Sequence, residues 1–229
     1  MPSIVKNTTF PGLLDLLAPL SCRGCGRMGT PLCDRCKKYI IAHQPSVCPA
    51  CKSTTKQAKC PKCHDLPPTY IVGERDELIG LLVHDFKFNS VRALAAPLAE
   101  LANASLPRDI NGNSAIVPLP TISRHIRSRG FDHTYLIAKR LAKLRNIPVN
   151  KLLLRAKNTV QVGTNRSTRL KQANEAYMLN PKLTPDHETI YILLDDVWTT
   201  GASLRAATEL LRSAGITQIL ILVLALSRN

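Results

Sequence analysis

Aromatic side chains are scarce, at 4% of 229 residues with a single tryptophan, so a packed core has to be built from Leu, Ile, Val and Ala. The hydrophobic fraction of 45% is ample for a core of ordinary size. Long apolar runs are lacking: no stretch reaches the roughly 18 consecutive apolar residues of a membrane-spanning helix. The nearest approach, Phe10 to Leu20, is interrupted by Asp15, Pro11 and Pro19, and no convincing cleavage site follows it. That favours a short amphipathic segment over a signal peptide. A cytoplasmic protein is expected, held at most to the inner face of the membrane through a partner. Acidic residues are also few, 16 against 31 Lys and Arg, for a formal net charge of +15. The imbalance sits in two segments: residues 1–65 hold 10 basic and 3 acidic side chains, and residues 120–175 hold 13 and 2. Such concentration favours polyanionic partners over a basic face kept for solubility.

No cysteine occurs beyond residue 63. All eight form Cys-x-x-Cys pairs: Cys22/Cys25, Cys33/Cys36, Cys48/Cys51 and Cys60/Cys63. Two residues between thiols let a tight turn aim both sulfurs at one tetrahedral metal ion. Disulfides or an iron–sulfur cluster also use cysteines, but four such pairs in series and no sign of export favour two zinc ions. Sequential pairing makes one site from Cys22, Cys25, Cys33 and Cys36 and another from Cys48, Cys51, Cys60 and Cys63. A cross-braced arrangement stays open on spacing alone. His64, beside Cys63, is either a substitute ligand or, more simply, an exposed histidine. Leu66-Pro67-Pro68 ends the module as a stiff hinge. Residues 1–66 are therefore expected to form a double zinc-ribbon module, and residues 67–229 a domain whose core excludes the knuckles.

In that second segment helical and strand patterns alternate, the mark of an α/β domain with a mainly parallel sheet and helices on both faces. Residues 77–86 and 90–106 read as helices, and 114–119 as a short apolar strand ending in Pro-Leu-Pro. Asp132 caps a helix through Arg145. Residues 151–154 read as a strand and 156–174 as an extended, mobile loop. A buried strand at 190–194, a helix over 203–214 ended by Gly215, and a strand over 216–226 complete the pattern.

The most specific feature is Ile192-Leu-Leu-Asp-Asp-Val-Trp-Thr-Thr-Gly-Ala-Ser203. A hydrophobic strand delivers two acids to the C-terminal edge of a sheet, and a Thr/Gly/Ser loop then opens a helix. Free backbone N–H groups and the positive helix end favour a phosphate there. Thr199, Thr200 and Ser203 add hydroxyls, and Gly201 lets the backbone come close. Asp195 and Asp196 cannot bind phosphate; they suit sugar hydroxyls or a phosphate-bound Mg²⁺. Both acids are expected at an exposed strand end, and Trp198 either stacks on a base or packs against the sheet edge.

This run resembles the phosphoribosyl pyrophosphate motif of the type I phosphoribosyltransferases. Val117-Pro-Leu-Pro120 with Arg129-Gly-Phe131 and a helix after it, and a stretch from Gln161 through Arg169 to Ala176-Tyr177, narrow the likeness. With the cysteine knuckles in front, the chain resembles the ComF family from Cys22 onward. The resemblance implies a type I phosphoribosyltransferase-like sheet, with Asp195 and Asp196 on the ribose hydroxyls. Thr199, Thr200, Gly201, Ala202 and Ser203 then hold the 5′-phosphate of phosphoribosyl pyrophosphate, with Mg²⁺. It also implies a pyrophosphate loop over about 118–129, carrying Arg124, Arg127 and Arg129, and a mobile basic loop over about 157–171, carrying Arg166, Arg169 and Lys171. The chain departs from the family pattern at several points. Asp132-His133 stands where Asn-Gln is usual, His125 where Arg is usual, and Asn89 where Gly is common; Thr164 and Gln172 replace Leu and Asn.

The function the resemblance implies is DNA uptake in natural transformation, with single-stranded DNA and a DNA-translocating helicase as partners. Two alternatives stand beside it: an active phosphoribosyltransferase with a small nitrogen nucleophile, and a zinc-dependent adaptor with a vestigial phosphate site. No acceptor pocket is recognisable in the sequence, so whether the protein is an enzyme stays open.

Overall fold

The computed structural model describes residues 20–110, 112–156 and 176–227. It opens with two knuckles built alike. The N–H of Cys22 donates to Arg27 O and that of Gly26 to Cys22 O; 26 residues on, Cys48 N–H donates to Ser53 O and Lys52 N–H to Cys48 O. Ser21 bridges to Met28 as Val47 bridges to Thr54. Gly26 and Lys52 hold the same left-handed turn, with φ of 75° and 62°. Helix α1, Asp34–Ala42, starts directly after Cys33 and carries Cys36 in its first turn.

A four-stranded sheet follows. Strands β1 (Thr69–Glu74), β2 (Ser114–Pro118), β5 (Ile190–Trp198) and β6 (Ile219–Leu226) lie in the order β1-β6-β5-β2. All three pairings are parallel, with Ile192 opposite Leu220 and Ile116 opposite Ile192 in the middle of the sheet. The strands read as nearly unbroken apolar runs because both faces are covered. Side chains alternate between the two faces through the middle of the sheet. Ile116, Ile192, Leu194 and Leu222 enter one core with helices α2 (Leu78–Phe88), α3 (Ala95–Ser105) and α5 (His133–Arg145). Val117, Leu193, Ile221 and Val223 enter the other with α6 (Ala202–Ser213) and a small antiparallel sheet of β3 (Leu153–Arg155) and β4 (Tyr177–Leu179). A short helix, α4 (Ser123–Arg129), lies between β2 and α5 and ends at Gly130, whose φ is 73°. Asp132 caps α5 as expected, its carboxylate accepting from Tyr135 N–H at 3.1 Å.

Three expectations need correction. The expected strand at 151–154 is the short β3, paired antiparallel with a partner that the sequence did not announce. Strand β1 also escaped notice. It is short, follows two prolines and contains Gly73, where a Cβ would come within 2.7 Å of Ile79 Cγ2. The third correction concerns the hinge. Pro68 O accepts from Ile221 N–H at 2.9 Å and Ala58 O from Thr69 N–H at 2.8 Å, so this segment is stitched into the sheet. Cys22, Leu32, Cys33, Cys36 and Ile40 belong to the first core, and Cys48, Cys60 and Leu66 to the second. The knuckles are therefore part of both cores, one on each face. A small Cys-rich segment has too little apolar surface to close a core alone, and here it closes one against the sheet.

Polar contacts reinforce this seam. Arg23 Nε meets the buried Asp85 of α2 at 3.0 Å, Lys37 Nζ meets Glu100 of α3 at 2.6 Å, and Lys52 Nζ donates to Ser227 O at 3.2 Å. Ile40, 4% exposed on α1, tests the coupling. Ile40→Ala should cost about 2–5 kcal/mol, as buried Ile truncations do. In urea monitored by circular dichroism the whole protein should still unfold in one transition, at lower urea. A separate early transition of the knuckle segment, with the sheet unaffected, would refute the shared core.

Candidate functional site

The four Sγ atoms of Cys22, Cys25, Cys33 and Cys36 lie within 4.8 Å of one another, and so do those of Cys48, Cys51, Cys60 and Cys63. Sequential pairing is thus the arrangement, not cross-bracing. Individual separations are 3.6 Å for Cys25–Cys33, 3.8 Å for Cys48–Cys63 and 3.7 Å for Cys51–Cys60. Four sulfurs tetrahedrally placed about 2.3 Å from one zinc ion sit about 3.8 Å apart, so both groups could hold the metal. The thiols alone make uneasy neighbours. Burial pushes Cys36 up to about 12, aided by the Cys22 and Cys33 sulfurs. Burial would raise Cys22 as well, but the N–H groups of Cys33, Cys25 and Gly24 bring it down to about 6. In the second group the Ser53 hydroxyl and N–H lower Cys51 to about 6, while the Cys51 sulfur and burial push Cys63 to about 12. A divalent cation removes this mutual repulsion and lets all four ionise. His64 is exposed and belongs to neither group.

The second site lies where β5 leaves the sheet. Because the four strands are parallel, their C-terminal ends share one edge, and the longest of them carries the acid pair there. Contrary to expectation, the acids are not exposed. Asp196 is 7% exposed and Asp195 half-buried. Asp196 is held by basic groups from two other elements. Lys87 Nζ of α2 lies 2.8 Å from Asp196 Oδ2, and His133 Nε2 of α5 meets the same oxygen. His133 Nδ1 in turn lies 3.0 Å from Arg129 Nη1, the last residue of α4. Asp195 turns its Oδ1 back to accept from Asp196 N–H at 2.8 Å.

The two carboxyls are driven apart electrostatically. Burial, and then the Asp196 charge, push Asp195 well above the usual carboxylate range. Burial also opposes charge on Asp196, but the His133 hydrogen bond and the Lys87 charge outweigh it and hold Asp196 below that range. His125, on α4, is depressed by burial and then by Arg129, Arg124, Lys87 and His133, a measure of how densely cations gather here.

Past the acids, Thr199 and Thr200 are exposed, and Gly201 turns the chain into α6 with φ of 74°. A Cβ there would lie 2.2 Å from Trp198 Cζ2, so the loop rests directly on the indole. Trp198 is 1% exposed, which settles its role as packing. No side chain caps α6 across Gly201; the Thr200 hydroxyl accepts from Ala202 N–H at 3.3 Å. Ser203 and Arg155 both hydrogen bond the Tyr177 phenol, which burial pushes up despite them and which feels the Asp195 charge.

The structure thus gathers Asp195, Asp196, Thr199, Thr200, Gly201, Ala202 and Ser203 on one edge and brings Arg129 to it through His133. The expected loop over 118–129 is instead helical over its last seven residues, with Arg124 and Arg127 exposed on α4. Arg129 ends that helix. Arg166, Arg169 and Lys171 lie outside the described residues. Lys87, His133, Arg155 and Tyr177 were missed as site residues; the one available signal was the Asp132-His133 departure. Part of the basic excess is structural: Arg145 donates to the carbonyls of Asn103, Leu106, Pro107 and Ile110 and to the Asn103 side chain.

Opposite pH dependences follow for the acid pair. Asp195 keeps its proton to higher pH in the folded chain than in the unfolded one. Its contribution is therefore lost as pH rises from the ordinary carboxylate range toward its raised value. Asp196 contributes above the ordinary range and loses that contribution as pH falls through its depressed value. Asp195→Asn should raise the melting temperature near pH 7, about 2–4 °C for each kcal/mol gained, and the gain should vanish by about pH 4. Asp196→Asn, which deprives Lys87 and His133 of a charged partner, should lower stability by about 1–3 kcal/mol. Equal pH profiles for both variants would contradict the split.

No protein-family model matches the chain. A search of curated proteins finds the Competence protein F of Haemophilus influenzae, 27% identical over 201 residues, covering 82% of this chain and 87% of that protein. Among the described residues no helix is long and apolar enough to cross a membrane. Two four-cysteine groups in succession and the parallel sheet behind them agree with the resemblance to the ComF family, and the chain is similar to this relative over most of its length.

Proposed function

We propose that this chain is a ComF-type protein of DNA uptake in natural transformation. In this reading it carries two structural zinc ions, binds phosphoribosyl pyrophosphate with Mg²⁺ at the β5–α6 loop, and holds single-stranded DNA on its basic surface. The observation that carries the reading is the acid pair at the end of a buried strand, next to an uncapped helix start and ringed by cations. The N–H groups at the start of α6, of which that of Ala202 already donates to the Thr200 hydroxyl, and the hydroxyls of Thr199, Thr200 and Ser203 suit the 5′-phosphate. Asp196, anchored by Lys87 and His133, acts as the fixed member of the pair. Asp195 faces the ribose hydroxyls or the magnesium, whose charge would draw off its proton. Arg124 and Arg127 on α4, with the basic segment 157–171, offer phosphate contacts to a single strand without sequence preference. A DNA-translocating helicase at the inner face of the membrane is the expected partner.

Metal is tested first. Elemental analysis should find close to two zinc ions per chain, and Cys48→Ser with Cys51→Ser should lose about one of them. A metal-free folded protein with oxidised cysteines would overturn that part. Ligand binding is tested by calorimetry. Phosphoribosyl pyrophosphate with Mg²⁺ should bind saturably, and Asp195→Asn should weaken it about 10-fold or more, the scale of one charged hydrogen bond. For a single-stranded oligonucleotide, Arg124→Gln with Arg127→Gln should lower the slope of log affinity against log salt by about 0.7 for each phosphate contact removed. An unchanged slope would move the DNA surface elsewhere.

A further inference from the structure

Helix α2 is held at both ends by the first knuckle. At its start, a Cβ on Gly24 would come within 2.8 Å of Leu78 Cδ2 and within 2.8 Å of Cys36 Sγ, so this glycine is wedged between a cysteine of the first group and the helix. Near its end, Arg23 Nε meets Asp85 Oδ2 at 3.0 Å, and Asp85 Oδ1 accepts from Asn89 Nδ2 at 2.7 Å. Both holds come from the two residues enclosed by Cys22 and Cys25. Asp85 is 6% exposed, and a carboxylate so buried relies on these partners. Lys87 follows two residues later, turned about 200° round the helix. Its Nζ lies 2.8 Å from Asp196 Oδ2. One side of α2 thus meets the cysteine turn and the other meets the acid pair.

The second knuckle, alike in backbone, is attached elsewhere. Its positions equivalent to Arg23 and Gly24 are Pro49 and Ala50, which offer neither the charge nor the close approach. Its buried Cys48 and Cys60 belong to the core on the other face of the sheet. Ile79, Leu82, Val83 and Phe86 of α2 share their core with Cys22, Cys33 and Cys36. Lys52 reaches the main chain past β6, at Ser227 O. The two cysteine groups therefore stand in different relations to Asp196.

We propose that metal at the first four-cysteine group is coupled to the acid pair through Arg23, Asp85 and α2, and that metal at the second is not. Asp85 is the positioning residue of this relay: it ties the metal-binding turn to the helix that sets Lys87 against Asp196. The proposal rests on the zinc reading given above and is independent of any sugar phosphate. Coupling is reciprocal, so breaking the acid pair's contact with α2 must weaken zinc at a site whose cysteines Asp196 does not touch.

The experiment measures the zinc affinity of each group in the full chain, by equilibrium competition with a chromophoric chelator. Cys25→Ser and Cys51→Ser, at the exposed cysteine of each group, assign the two affinities. Arg23→Gln should lower the affinity of the first group about 10-fold, the scale of one charged hydrogen bond, and leave the second as it was. Asp196→Asn should lower the first group about 5-fold and spare the second. Lys87→Gln cuts the same pair from the helix side and should do the same, which keeps the test open should Asp196→Asn not fold. Arg23→Gln with Asp196→Asn should cost no more than Arg23→Gln alone, because both act on one relay. Asp195→Asn, which leaves the Lys87 contact in place, should change neither affinity. An equal loss at both groups would mean general loosening and would overturn the proposal. So would fully additive effects in the double variant, or an unchanged first group in Asp196→Asn and Lys87→Gln; the zinc reading survives each of these results. If the purified protein carries no zinc, that reading falls and the coupling with it.

Discussion

Two carboxylates next to each other at the dry end of a strand cannot both stay charged without help, and much of this structure is arranged around supplying it. Asp196 remains ionised because α2 delivers Lys87 and α5 delivers His133 to the same oxygen. Each helix is fixed in turn. His133 is backed by Arg129 from α4, the short helix between β2 and α5. Helix α2 is clamped near its end by Asp85, which takes Arg23 from the first knuckle and Asn89 from its own C-cap. A buried ion pair of this kind is weak evidence for stability, since desolvation offsets much of the attraction. Its value here is placement: it fixes which carboxyl is neutral and which is charged.

That chain of contacts gives the cysteine segment a part in the edge of the sheet most distant from it in sequence. Arg23 stands between Cys22 and Cys25, so a turn that could hold a metal also holds α2, and α2 carries Lys87. The second knuckle touches the opposite side, with Cys48 and Cys60 in the core that contains α6 and Trp198. The two turns share one backbone design yet brace different faces of the sheet. Local repetition has been put to two different tertiary uses, and nothing in the repeat itself says which face each copy will meet.

What could be read from the sequence follows the range of the interactions involved. Strand β5, its loop and α6 were legible because strand, acids, glycine and helix are consecutive and each has a local cause. The cysteines were legible because metal geometry imposes a spacing. The acids' burial was not legible, because it depends on Lys87 and His133, brought in from separate elements; polar residues at a strand end look exposed until their partners are known. Strand β1 was hidden by its two leading prolines and by Gly73, a residue that weakens strand propensity but is required by the approach of Ile79. The shared core was hidden for the same reason as the acid partners: a proline pair reads as a hinge from its own chemistry, and only the hydrogen bonds at Thr69 and Ile221 show it fastened.

Trp198 has an optical consequence. It is the single tryptophan of the chain, it is sealed from water, and its ring lies against the place where Gly201 can have no side chain. Near-ultraviolet emission excited at the red edge therefore comes from one indole, in direct contact with the loop 199–203. Any event that shifts this loop alters the packing around that ring. The protein thus contains a native fluorophore that reports on the loop, with no label introduced and no residue changed.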